Sequence, residues 1–196
     1  AGGLYRVDTD TAVATMVGQL KDAMGVPIAL VGTRFGVDFN PAANALRIVS
    51  DAGQNLRQSF GNLGTGNPLA PTATDGALTG GGVVGAAYTN NDLSPLTGTT
   101  LFDLNATQVL LQSPPNNGNL AATGSLTVTA DAGTDAGFDI YSVLRGDVTV
   151  AQRALAALTV DGQAMLYEVD LLTGKAKARS RIGANVVDIA VPLTQY

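Results

Sequence analysis

Four short segments of this chain recur at an interval of about 50 residues, and that period limits the fold more than any other feature. They are Gly36-Val37-Asp38-Phe39, Gly85-Ala86-Ala87-Tyr88, Gly137-Phe138-Asp139-Ile140 and Val186-Val187-Asp188-Ile189. Their third positions, 38, 87, 139 and 188, lie 49, 52 and 49 residues apart. A fixed period of this size marks a repeat architecture, in which each unit must stack on a neighbour to bury its apolar face. Around these segments, short apolar and β-branched runs alternate with Gly, Asn, Asp and Pro, the pattern of many short strands. Helix signals are confined to Gln19–Met24, ended by Gly25 and Pro27, and to Val150–Ala154.

One unit reads as four strands. In the last full unit they are predicted at Gly137–Val143, Ala154–Val160, Met165–Asp170 and Ala176–Ile182. In the first they are predicted at Phe35–Asn40, Ala45–Ser50 and Gln54–Phe60, with a fourth less defined. Four antiparallel strands per repeat, repeated radially, make a propeller blade. The expectation is an all-β fold: a small β-propeller of four-stranded antiparallel blades, about four repeats, forming a single domain over 1–196. Three of the four copies open with Gly, which suits a crowded centre where backbones approach closely.

A second element recurs as Leu4-Tyr5-Arg6-Val7-Asp8, Leu101-Phe102-Asp103-Leu104 and Leu166-Tyr167-Glu168-Val169-Asp170. Each reads as the start of a hairpin, an aromatic-bearing strand and a tight turn before an outer strand. Tyr5, Phe102 and Tyr167 are expected to pack between units. The first hairpin, Leu4 to Gly18, lacks the two strands that should precede it, so an N-terminal repeat is expected to be incomplete. The terminal segment Val186–Leu193 is expected to return and supply one strand. A further partner strand is expected to be missing, read as a short variant of the fold, as a sequence that begins partway through the protein, or as a gap filled by another copy, since a bare edge is a template for pairing with another chain.

The residue inventory removes most chemistry. The chain has no Cys, His or Trp, which excludes disulfides, thiolate and imidazole catalysis, and metal sites built on Cys or His. Ser50-Asp51 and Ser142 therefore have no His to form a catalytic triad. Net charge is −5, and the densest basic run, Lys175, Lys177, Arg179 and Arg181, alternates as one charged strand face. Without a basic domain and interleaved aromatics, nucleic-acid binding is not expected. No apolar run reaches 18 residues, so no helical transmembrane segment is expected. Charged residues make up only 14% of the chain. The polar surface must then be mostly Thr, Asn, Gln, Ser and Gly, which suits an extracellular or cell-envelope protein.

A few residues qualify as candidate sites. Asp131 and Asp135 flank Gly133 in a turn, a spacing open to calcium or to a plain connecting loop. The loop lacks the further ligands and closing Glu of a full calcium site, and no other cofactor is expected. Asp38, Asp139 and Asp188 sit at equivalent repeat positions. They are read either as lining a central channel that holds a cation or as accepting backbone N–H bonds that fix one unit to the next. Ala87 breaks the set. Thr89-Asn90-Asn91-Asp92 reads as a turn or as an amide-presenting cluster. Gly80-Gly81-Gly82 reads as a linker, since it lacks the Lys-Ser/Thr of a phosphate loop. Pro114-Pro115-Asn116-Asn117-Gly118 reads as an exposed loop, the kind of element that carries binding residues.

Several of these segments together resemble a known bacterial family. They are Gly36-Val-Asp-Phe-Asn-Pro41, Leu46-Arg-Ile-Val-Ser-Asp51, Gly53-Gln-Asn-Leu-Arg57, Val84-Gly-Ala-Ala-Tyr-Thr-Asn90 and Pro114-Pro-Asn-Asn-Gly118, with Gly137–Ile140 and Leu166–Asp170 fitting its later part. The family is catalogued as domain of unknown function 4394, and the resemblance spans nearly the whole chain. It implies a secreted or envelope-associated, propeller-like domain and no assigned activity. Three functions follow in order. The first is a non-catalytic structural protein that self-associates through an open blade edge into a surface, matrix or filament. The second is a propeller that binds a glycan, peptide or protein. The third is an enzyme using carboxylates, with or without calcium.

Overall fold

Short runs of alternating residues become strands here, and almost nothing becomes helix. The computed structural model describes residues 2–60, 69–92, 94, 96–183 and 186–192. Among them, β1 (Gly3–Val7) and β2 (Ala14–Gln19) form a two-stranded N-terminal hairpin. Sheet I runs β3 (Phe35–Asn40), β4 (Ala45–Ser50), β5 (Asn55–Ser59), β6 (Ala73–Thr74). Sheet II runs β7 (Gly85–Tyr88), β8 (Leu101–Leu104), β9 (Gln108–Gln112), β10 (Leu120–Ser125). Sheet III runs β11 (Gly137–Arg145), β12 (Val148–Val160), β13 (Gln163–Val169), β14 (Ala176–Arg181). Neighbours in each sheet are antiparallel and consecutive in sequence. The predicted strands of the first unit are found within a residue at each end, and those of the last unit within about two, except that β12 starts at Val148, six residues before the expected Ala154.

Alternation within each strand decides what stacks on what. In β4, Leu46 and Ile48 face the hairpin, where they pack with Leu20 and Leu56. Val49 faces the opposite way, toward Ala86, Tyr88, Leu101 and Leu110 of sheet II. The far side of sheet II gives Phe102, Leu104 and Val109, which meet Phe138, Ile140, Leu158 and Tyr167 of sheet III. The order is hairpin, sheet I, sheet II, sheet III. Each fully buried aliphatic or aromatic side chain contributes about 1.5–3 kcal/mol.

The first strands β3, β7 and β11 pack side by side, and glycine is what lets them. A Cβ on Gly36 would lie 2.5 Å from the carbonyl carbon of Gly85. A Cβ on Gly137 would lie 2.5 Å from the Ile189 nitrogen. Residues 186–192 thus stand against β11 as β7 stands against β3. They pair in no strand ladder among the described residues, and Leu193 of the expected returning strand lies outside those residues.

Four sequence expectations need correction. Gln19–Met24 is not helical: the Asp22 carboxylate accepts the Met24 and Val26 N–H groups, both at 2.9 Å, closing a turn with Gly25 in the left-handed region. Val150–Ala154 lies inside β12, because pairing with β11 outweighs its local helix signal. Leu101–Leu104 is the second strand of its sheet, whereas Leu166–Asp170 belongs to the third, so the aromatic hairpin repeat is out of phase there. Phe102 and Tyr167 are buried, but Tyr5 is 57% exposed, because no described sheet stacks on its side of the hairpin.

Candidate functional site

The repeated aspartates work as clasps between stacked elements. Asp38 accepts the Phe39 N–H at 2.7 Å through one oxygen and the Tyr88 N–H of sheet II at 2.6 Å through the other. Asp139 repeats this with its own neighbour Ile140, at 2.7 Å, and with Val191 of the terminal segment. Asp188 accepts the Ile189 N–H at 2.8 Å. Where Ala87 breaks the set, the clasp comes from a residue four positions on. Asn91 donates to the Ile140 carbonyl at 2.9 Å and accepts from the Ser142 hydroxyl at 3.0 Å. Thr89–Asp92 is therefore a bracing turn.

Asp38 and Asp139 also open onto a cavity of about 480 Å³ lined with Phe39, Asn40, Asn44 and Asn91. Burial, with Asp139 and Asp188 adding like charge, pushes the Asp38 carboxyl up to about 7 against the hold of its N–H donors. Burial raises Asp139 as well. Asp188, exposed along one side, rises to about 6 through packing against the inner strands and the charge of Asp139.

A second polar assembly lies between sheets I and II. Arg47 of β4 is 2% exposed. Its guanidinium donates to Asn55 at 2.8 Å, Asp75 at 2.7 Å, Asn116 at 2.7 Å and the Tyr88 hydroxyl at 3.3 Å. Arg57 also pairs with Asp75, at 3.1 Å. The Pro114–Gly118 loop, expected to carry binding residues, acts as a latch: its Asn116 side chain and Pro115 carbonyl hold Arg47 and Asn55. Close by, Asp103 of β8 is fully buried, and neither carboxylate oxygen has a hydrogen-bond partner among the described residues. Burial drives its carboxyl up to about 8, with Arg47 only partly opposing. Nothing in Leu-Phe-Asp-Leu marked that aspartate as buried. Only the pairing that turns Leu101 and Asp103 toward sheet I does so.

These raised carboxylates set the direction of the pH response. Each is neutral more readily in the folded protein than in the unfolded chain. The stability they allow is complete below about pH 4 and is lost as pH rises through about 6, 7 and 8. Asp8, Asp51, Asp92 and Asp170 are lowered by turn hydrogen bonds and act the other way below the usual carboxylate range, but they are exposed or lightly buried and weak. We predict that the thermal midpoint rises by roughly 5 °C between pH 8.5 and pH 5, a stability change of about 2 kcal/mol. Asp103→Asn should raise the midpoint at pH 8.5 and flatten the profile. A midpoint that falls steadily on acidification would show that these carboxylates are not buried as described.

The hairpin is lightly covered. Leu4 turns toward sheet I, while register and alternation put Tyr5, Val7, Ala14 and Met16 together on the outer face. All four are exposed, with Tyr5, Val7 and Met16 at 57%, 57% and 55%. Among the described residues β1 pairs only with β2, so one of its edges is unpaired.

The remaining candidates have structural partners. Asp131 accepts the Asp161 N–H at 3.0 Å and the Gly162 N–H at 2.8 Å, capping the β12–β13 turn. It and Asp135 join no third acidic side chain, and no group of three potential metal ligands occurs among the described residues. Asp51 ties Thr33 and Arg34 to the end of β4. Gly82 donates its N–H to the Asp51 carbonyl at 3.1 Å. Lys177 and Arg179 lie on β14 beside Glu168, which pairs with Arg153 and Arg179 as a surface ladder. No helix among the described residues is long and apolar enough to cross a membrane.

No curated protein matches the sequence. One family model does, the Domain of unknown function (DUF4394), and it covers residues 1–190. Nearly the full chain is matched, and the chain belongs to the DUF4394 family.

Proposed function

We propose that this protein is a non-catalytic, self-assembling structural unit of an extracellular or cell-envelope layer, matrix or filament. The observation that carries this reading is the two-stranded N-terminal sheet. Among the described residues, sheets I to III each have four strands, whereas the hairpin has two, an unpaired β1 edge and an exposed apolar face. In this reading the sheets are blades of a small four-bladed propeller. Residues 186–192 take the inner position of the fourth blade and β1–β2 the outer two. The second position of that blade, unpaired among the described residues, accepts an extended segment from another copy, gaining backbone hydrogen bonds and cover for Tyr5 and Val7. A head-to-tail contact of this kind propagates unless its rotation closes a ring. The unit uses no catalytic residue and no cofactor. A second reading is supported by the cavity between Asp38 and Asp139, whose carboxylates, amides and exposed Phe39 ring suit a small polar ligand such as a sugar.

Sedimentation velocity over a wide concentration range, with electron microscopy of the heaviest fractions, tests the first reading. The native sequence is expected to form larger species as concentration rises. Tyr5→Lys with Met16→Glu should hold it monomeric without changing its melting profile, since both side chains are exposed. A native protein that stays monomeric throughout, or a variant that assembles equally well, would refute assembly through this sheet and leave the cavity reading.

A further inference from the structure

Strands β11 and β12 run on past the sheet they belong to. β13 pairs with β12 only from Ala154 to Val160, so residues 148–153 of β12 pair with β11 alone. The result is a two-stranded arm. Its base is braced from sheet II: Asp92 accepts the Thr149 hydroxyl at 2.7 Å, Asn91 holds Ser142, and Asn90 and Gln152 bond to each other. Its tip is Leu144-Arg145-Gly146-Asp147-Val148, exposed at every residue. Arg145 pairs with Val148 across a two-residue turn, with Gly146 at φ 62° in the first position. That placement fits a tight type II′ hairpin turn, which glycine adopts without strain. A Cβ on Gly146 would meet nothing within 4 Å, so the turn is open on the side a side chain there would occupy. Among the described residues neither Arg145 nor Asp147 enters an ion pair or side-chain hydrogen bond.

We propose that this tip is a recognition element for a metal-dependent adhesion receptor that reads an Arg-Gly-Asp turn. The chemistry is two-point. The Asp147 carboxylate supplies an oxygen to a divalent cation that the receptor holds with an open coordination position. The Arg145 guanidinium pairs with a receptor carboxylate, bidentate and charge-assisted. Gly146 keeps the two charges apart on a narrow turn with no side chain between them to obstruct approach. Leu144 and Val148, 42% and 65% exposed, add an apolar collar. Mounting the tripeptide on a braced arm cuts the ordering cost that a flexible loop incurs on binding. This inference is independent of self-assembly: a monomeric hairpin variant keeps the tip.

The test is surface binding of the intact protein to a purified ectodomain of a divalent-cation-dependent, Arg-Gly-Asp-reading adhesion receptor. It is run with manganese, with a chelator, and with a linear Arg-Gly-Asp peptide as competitor. Saturable binding is expected in manganese, lost with the chelator and displaced by the peptide. Asp147→Glu keeps the charge but moves the carboxylate outward by one methylene, and should weaken binding about tenfold or more. Arg145→Lys should weaken it by a smaller factor. All these side chains are exposed, so an unchanged thermal melt separates loss of recognition from loss of fold. Absence of saturable binding, or binding indifferent to the chelator and to Asp147→Glu, overturns the proposal.

Discussion

Gly36→Ala is expected to destabilise the protein by about 3 kcal/mol or more, beyond the usual range for one added methyl group. The new Cβ would sit 2.5 Å from the Gly85 carbonyl carbon, with the Ala86 nitrogen closer still. Both obstacles are backbone, so no rotamer change relieves the clash. β3 and β7 must separate, taking the Asp38–Tyr88 clasp with them. Gly137→Ala should behave alike against Ile189. Gly98→Ala is the control. Nothing lies within 4 Å of a Cβ there and Gly98 is absent from the positive-φ positions, so it should be neutral or slightly stabilising. Denaturant unfolding reads all three. If Gly36→Ala stayed within about 1 kcal/mol of the native protein at unchanged slope, the close packing of first strands would be wrong.

The second large effect centres on Arg47. Arg47→Met keeps the bulk and removes the charge. Asn55 and Asn116 then lose a donor, and Asp75 keeps only Arg57. Breaking a buried charged network by deleting one member costs about 3–5 kcal/mol, because the groups left behind stay desolvated. Arg57 softens the loss, so about 3 kcal/mol is expected here. Arg47→Lys should recover little, since one ammonium cannot reproduce a planar fork reaching four partners. Losing Arg47 also removes the cation that partly opposes protonation of Asp103, so the variant should lose more stability at pH 8 than at pH 5. Equal losses at both values would separate Arg47 from Asp103 electrostatically, and a total loss under about 1 kcal/mol would make the network dispensable.

Sequence reading succeeded where local pattern and period coincide. Phe35–Asn40 and Ala45–Ser50 carry their own turn residues and apolar alternation, and both strands lie where predicted. Asp38 and Asp139 were legible as clasps because a repeated position answers a repeated structural need. The failures share a cause: the deciding partner was distant in sequence. Val150–Ala154 had a weak local preference that β11 overrode. Tyr5 looked equivalent to Tyr167, but its burial depends on a neighbouring sheet, and none among the described residues covers that face of the hairpin. The exposed-looking Pro114–Gly118 loop turned out to satisfy an arginine 69 residues away.

The sequence by itself determined the all-β class, the 50-residue unit, the first-strand glycines and the absence of cysteine and histidine chemistry, since these depend on residue type and spacing along the chain. Only the tertiary structure decided that, among the described residues, Asp103 is buried without a partner and β1 keeps an unpaired edge, that Arg47 joins two sheets and that Arg145-Gly146-Asp147 caps a projecting arm. Burial, pairing and projection are relations between segments far apart in sequence, and no local pattern encodes them.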